Sequence, residues 1–165
     1  MLVNKVANSK LTTLNLEDYF PSEEMVNFDL KDYLFMEMIL KEKDFRIALK
    51  AHDWSQYEGK IVLVNCSADA IIPLWAYMLV ATYAETVAAD VFCGTTDIYL
   101  QMAMNKGIEA IDASQYQDQM LVIKGCGSKP VPPSAYLDIT KKLRPFAKSI
   151  MFGEPCSTVP VFKRR

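Results

Sequence analysis

Histidine is almost missing from this chain, with His52 the one example, and the four cysteines at 66, 93, 126 and 156 form no CxxC pair. That spacing argues against a zinc ribbon and against a thioredoxin-like redox motif. No excess of basic residues exists either: the formal net charge is -2, so no global field favours nucleic acid or an acidic membrane surface. The longest apolar stretch, Ala70 to Ala81, is interrupted by Pro73 and is too short to span a bilayer. Met1 to Phe20 lacks the continuous apolar core of a signal peptide, so a soluble, cytoplasmic protein is expected. Gly125-Cys126-Gly127 is too short for a dinucleotide or P-loop pattern, and no nucleotide cofactor is expected. A tyrosine-phosphatase or rhodanese-like loop needs an arginine about six residues after its cysteine. Ile72 and Pro132 stand in those places.

What the chain does have is a stretch that occurs twice. Asp53-Trp54-Ser55-Gln56-Tyr57 is matched 59 residues later by Asp112-Ala113-Ser114-Gln115-Tyr116. The same shift relates Ile72-Pro73 to Val131-Pro132, Ala76-Tyr77 to Ala135-Tyr136, and Gly94 to Gly153. Each copy carries an apolar run and then a cysteine, Cys66 or Cys126, displaced by one position. The sequence therefore reads as an internal duplication of one β-α-β unit, 45–94 and 104–153, within a single domain of residues 1–165. Its 165 residues suffice for one sizeable core.

Residues 1–35 lie outside the duplication but carry an echo of their own, Leu14 to Tyr19 against Phe28 to Tyr33. Alternation in Thr12 to Leu16 and Val26 to Leu30, around Pro21-Ser22-Glu23-Glu24, predicts an N-terminal β-hairpin added to the main sheet. The amphipathic pattern predicts a helix over 42–51. In the first copy, strands are predicted over 60–65 and 88–93. The intervening helix, 74–84, is apolar almost all round and expected to be buried. A helix over 97–105 should stop at Gly107. The second copy predicts strands at 120–124 and 148–152, a more polar helix ending at Leu143, and a solvated tail, 154–165. The alternation of strands and helices predicts an α/β fold with a mostly parallel sheet. If strands 60–65 and 119–124 are central neighbours, their carboxyl ends frame a ligand crevice.

The residues Lys41 to Arg46, His52 to Tyr57, Cys66 to Ala70, Pro73, Ala76-Tyr77 and Gly153 to Pro160 resemble an uncharacterised bacterial family filed as a domain of unknown function. The likeness covers nearly the whole chain. It implies a soluble bacterial protein and supplies no activity.

Cys66, Cys126 and Cys156 each follow a predicted strand or its exit loop, so all three are expected at the carboxyl edge of the sheet. Thiolates converging there suit zinc, or an iron–sulfur centre. His52 is a candidate fourth ligand, although it precedes a strand and topology assigns it to the opposite edge; Asp69 or water fits equally well. The leading functional expectation is thus a cysteine-ligated zinc site. One alternative is a non-catalytic binding or scaffold module with packing cysteines, whose crevice takes a small molecule or peptide. The other is a thiol-dependent enzyme in which Asp69 or Lys129 assists Cys66 or Cys126. Cys93, inside a strand, reads as a packing residue. Asp53 and Asp112, with Ser55 and Ser114, read as turn residues rather than an acid–base pair, and Tyr77 and Tyr136 as packing groups with polar-edge hydroxyls. Apolar residues around Phe35, Met36 and Met38 exceed what one core should cover, so a homodimer is expected.

Overall fold

A computed structural model describes residues 11–154 and 157–165. It forms two compact units: Ser22–Tyr99 is one, and the segments up to Pro21 and from Leu100 make the other. Each holds its own mostly parallel α/β sheet, and no helix among the described residues is long and apolar enough to cross a membrane.

In the 22–99 unit, β2 (Met25–Asp29) pairs in parallel with β3 (Ile61–Asn65), which pairs in parallel with β4 (Asp90–Cys93). α1 (Glu42–Ala51) and α2 (Leu74–Ala84) supply its core. In the other unit, β1 (Leu11–Asn15) pairs in parallel with β5 (Met120–Lys124), and β5 with β6 (Ser149–Glu154). β7 (Ser157–Lys163) closes that sheet antiparallel to β6, and α4 (Pro133–Leu143) is the crossover between β5 and β6. α3 (Thr96–Glu109) contains the division between the units. The elements β3, α2 and β4 recur as β5, α4 and β6 at the 59-residue offset seen in the sequence.

The expected N-terminal hairpin is not formed. β1 and β2 join different sheets, each lying parallel to the first strand of a repeat. Alternation specifies a half-buried strand without naming its neighbour. The residues between them also exceed a tight hairpin turn, because a 3-10 turn at Leu16–Tyr19 follows β1. The single central sheet is corrected for the same reason: β3 and β5 have separate partners and do not pair with each other.

The echoed motifs produce equivalent local structure. Asn15 accepts the amide of Glu17 at 3.1 Å, and Asp29 that of Lys31 at 2.9 Å, each capping a 3-10 turn whose first residue, Leu16 or Leu30, is fully buried. Asp53 and Asp112 cap equivalent turns, accepting from the amide and hydroxyl of Ser55 and Ser114. Those contacts match the turn role expected for both aspartates. Gly94 and Gly153 have φ of +151° and +104°, and a Cβ would lie 2.9 Å from the Phe92 ring and from the Ser157 carbonyl oxygen respectively. Glycine at both places therefore follows from backbone geometry.

Three further expectations change. α2 is not enclosed: it buries Ala76, Val80 and Ala84, the same stripe α4 buries with Ala135, Ile139 and Leu143, and leaves Leu74 and Met78 exposed. A helix lying on one sheet face needs only one apolar stripe. α3 runs through Gly107 to Glu109, because burial of Met104 and Ile108 outweighs the roughly 1 kcal/mol cost of an internal glycine. Much of the tail is strand β7, with Pro160 tolerated beside a bulge on an edge strand.

The core of the 22–99 unit centres on Phe28, which stacks on Tyr33 at 5.2 Å and on Trp54 at 5.4 Å between ring centroids. His52, Tyr57 and Tyr83 extend the cluster. Phe28→Ala removes its centre, and denaturant unfolding should show a loss of about 3–5 kcal/mol.

Candidate functional site

The carboxyl edge of the β2–β3–β4 sheet is built from short polar residues that follow apolar strands. Val26, Phe28, Val62 and Val64 face the helices, so alternation sends Asn27, Asp29 and Asn65 to the other face. Asn65 Nδ2 donates to Asn27 Oδ1 at 2.7 Å and to the Gly94 carbonyl at 3.2 Å, tying the end of β3 to the middle of β2 and to the residue after β4. The Ser67 amide and hydroxyl donate to the two oxygens of Asp29 at 3.0 and 2.5 Å. Desolvation works upward on the Asp29 carboxyl, but the bonds from Ser67 and from the Lys31 amide, together with the Lys31 charge, hold it below the ordinary value.

This edge opens into a cavity of about 510 Å³. Met25 and Leu63 form its apolar floor, Asn27, Asn65, Cys66 and Ser67 its edge, and Thr95, Thr96 and Asp97 at the start of α3 its remaining wall. Cys66 Sγ donates to the Ala68 carbonyl at 3.5 Å, within its own loop. Burial raises the pKa of Tyr77, and the nearby thiols of Cys93 and Cys66 add to the effect. The crevice expected at a strand-end edge is thus present, but within one unit and framed by β2 and β3.

Cys126 belongs to the other unit, exposed beyond the end of β5, with its Sγ 3.4 Å from the Tyr136 hydroxyl. Burial and then the Cys126 hydrogen bond push the Tyr136 pKa up to about 12. The one-residue displacement of the cysteines has a steric basis. The counterpart of Cys66 is Gly125, where a Cβ would come 2.6 Å from the Tyr136 hydroxyl, and the counterpart of Ser67 is Cys126. The counterpart of Asn65 is Lys124, whose ammonium lies 3.8 Å from Glu154.

His52 is held among aromatic rings, its Nε2 2.9 Å from the Tyr57 hydroxyl and 3.2 Å from the Gln56 amide nitrogen. Asp69 is exposed in the loop after β3, and Cys156 lies outside the described residues. Among the described residues, no three His, Cys, Asp or Glu side chains gather as metal ligands. Cys93 is exposed at the end of β4 rather than packed in the core, because that strand stops there and Gly94 turns the chain away.

A family model described as "Protein of unknown function (DUF2480)" matches residues 1–164. The chain belongs to that family. No curated protein and no solved structure matches it.

In this DUF2480 chain the crevice residues Asn27, Asn65, Thr95, Thr96 and Asp97 escaped sequence reasoning. An amide on the same face of each of two paired strands was the available signal, visible only once β2 is known to lie beside β3. Ser67→Ala should raise the Asp29 pKa toward the ordinary ~3.9, as followed by carboxyl NMR titration. Because the folded-state value is depressed, Asp29 stabilises the fold above the ordinary carboxylate pKa, and that contribution is lost as pH falls through its folded value. Wild type should therefore exceed Ser67→Ala in stability by about 0.5–1 kcal/mol at pH 7, with the gap closing in acid.

Proposed function

We propose that the chain is a binding module that takes a small, polar, neutral or positively charged metabolite in the crevice of the 22–99 unit. The 510 Å³ cavity at the carboxyl edge of the parallel sheet carries this reading. Strand ends of open α/β sheets are where such ligands bind, because backbone and short polar side chains converge there without filling the space. The lining offers two amides, three hydroxyls, a thiol and the Asp97 carboxylate, with no lysine or arginine. An anion would find no cationic side chain, and the Asp97 carboxylate offsets the positive end of α3. Asn65 Oδ1 and Asn27 Nδ2, the halves of the amides not used in their mutual bond, are available to accept from and donate to a ligand. No histidine or lysine among the lining residues stands ready to take the Cys66 proton, which favours binding over thiol catalysis.

A thermal-shift panel of polyols, amines, carboxylates and phosphates tests this, with calorimetry on the compounds that stabilise. Ligands should come from the neutral and cationic classes, and Asn65→Leu should weaken them about tenfold, the worth of one to two amide hydrogen bonds. Binding that survives Asn65→Leu unchanged sinks the crevice reading. Zinc near one ion per chain, in protein purified without chelator or affinity-column metal, would instead favour the thiolate centre of Cys66, Cys126 and Cys156, with Asp69 or His52 as a further ligand.

The exposed apolar surface of the same unit supports a homodimer as a second element of the proposal. Phe35 and Ile39 close a tight turn by two backbone hydrogen bonds of 2.7 and 3.2 Å, which holds Met36 and Glu37 at φ of +52° and +58°. Non-glycine residues in that region cost about 1 kcal/mol or more each. The turn nevertheless presents Phe35, Met36, Met38 and Ile39 at least half exposed. Beside it, a hollow of about 280 Å³ lined by Tyr33, Phe35 and Phe45 has Lys41 and Asp44 at its rim. A protruding methionine, an aromatic hollow and both signs of charge on one patch suit a second copy, since a two-fold interface must complement itself. Light scattering at micromolar concentration should give twice the chain mass, and Met36→Asp should return it to monomer. A monomeric wild type removes the dimer.

A further inference from the structure

We infer that the unit containing β5, β6 and β7 carries a second binding site, for a small anion with an apolar body, separate from the crevice of the 22–99 unit. A cavity of about 250 Å³ opens beside β6, walled by Met120, Met151, Pro160 and Phe162. An apolar cavity of roughly 150 Å³ already accommodates benzene. This one holds a single aromatic ring or a short acyl chain. Among the described residues, Ser149 is the one polar residue in the buried set; it lines the slot at 8 % exposure, and its hydroxyl has no hydrogen-bond partner there. Burying an unsatisfied hydroxyl costs about 1–3 kcal/mol, so a turn of the enclosed Ser149 side chain into the slot, toward a ligand oxygen that accepts from it, relieves a cost the empty site carries.

The charge around the cavity selects the ligand's other end. Lys148 and Lys163 complete the lining, and neither forms an ion pair among the described residues. Phe162 and Lys163 are shared with an adjoining hollow of about 390 Å³ to which Arg144 and Arg165 contribute, and neither lining contains an acidic residue. The Arg144 guanidinium lies 4.8 Å from the centre of the Phe162 ring, which packs with Ile150 on the α4 side of the sheet. Arg164 is already committed, donating to Asp118 at 2.6 Å and to the Phe146 carbonyl at 2.9 Å, and so serves as a brace. An apolar slot with a buried hydroxyl donor beneath a rim of uncompensated cations fits a carboxylate or phosphate on a small apolar body.

Calorimetry on the full chain with hexanoate and phenyl phosphate tests the site, with inorganic phosphate and 1-hexanol as probes of each half of the requirement. At least one of the first pair should saturate with a Kd below about 1 mM, and both controls should bind at least tenfold more weakly. Preference for hexanoate or for phenyl phosphate assigns the head group. Met151→Trp should fill the slot and abolish binding, while the exposed Lys163→Glu should weaken it about tenfold without a change in melting temperature. Asn65→Leu, in the other unit, should leave it untouched, which keeps failure of this site distinct from failure of the crevice. Inorganic phosphate binding as well as phenyl phosphate would reduce the feature to a basic surface and overturn the inference. Unchanged affinity in Lys163→Glu, or no saturation by either probe at 10 mM on the millimolar scale expected of weak ligands, overturns it equally.

Discussion

Parallel pairing of a short N-terminal strand with the first strand of each repeat is the constraint on which the rest depends. Parallel strands cannot be joined by a tight turn, so the chain must travel elsewhere between them and return. β2 reaches β3 only through the 3-10 turn at Leu30–Tyr33, the Phe35–Ile39 turn and α1; β1 reaches β5 only after nearly the whole of the other unit has been made. Long return paths explain why the chain divides as it does, with its first strand belonging to its last sheet.

Parallel pairing also brings all strand ends in a sheet to one edge, and the polar residues there must satisfy one another. In the 22–99 unit the solution is Asn65 on Asn27 and the Gly94 carbonyl, with Ser67 on Asp29. The other unit uses larger groups at the equivalent places, Lys124 opposite Glu154 and Cys126 against Tyr136. Short amides and hydroxyls leave space beyond themselves, whereas a lysine and a glutamate reach across it. The two copies thus share a backbone plan but differ in edge chemistry, and the apolar, cation-rimmed slot proposed in the other unit lies at the opposite edge, where Met120 and Ser149 begin β5 and β6.

Cysteine is the residue type at which the two copies depart most from exact repetition. Read along the chain, Cys66 and Cys126 sit at similar strand exits. In space they belong to different units and to positions one residue out of step, because the Tyr136 hydroxyl occupies the room a side chain at 125 would need. Each thiol is placed near a helix tyrosine, Tyr77 or Tyr136.

The sequence by itself determined the local elements. The bounds of α1, α2 and β5 follow directly from apolar periodicity, proline and glycine. The capping roles of Asp53 and Asp112 and the glycine requirement at 94 and 153 were likewise written in the 59-residue repeat, since equal backbone geometry demands equal turn residues. The tertiary structure alone decided which strands are neighbours. Alternation in β1 and β2 marks a buried face but carries no address, so a local hairpin looked as good as a distant parallel partner. It also decided how much of α2 is covered and how far α3 extends, because both depend on what packs opposite. The crevice was hidden for the same reason: Asn27 and Asn65 are 38 residues apart, and only the parallel register of β2 on β3 makes them one site.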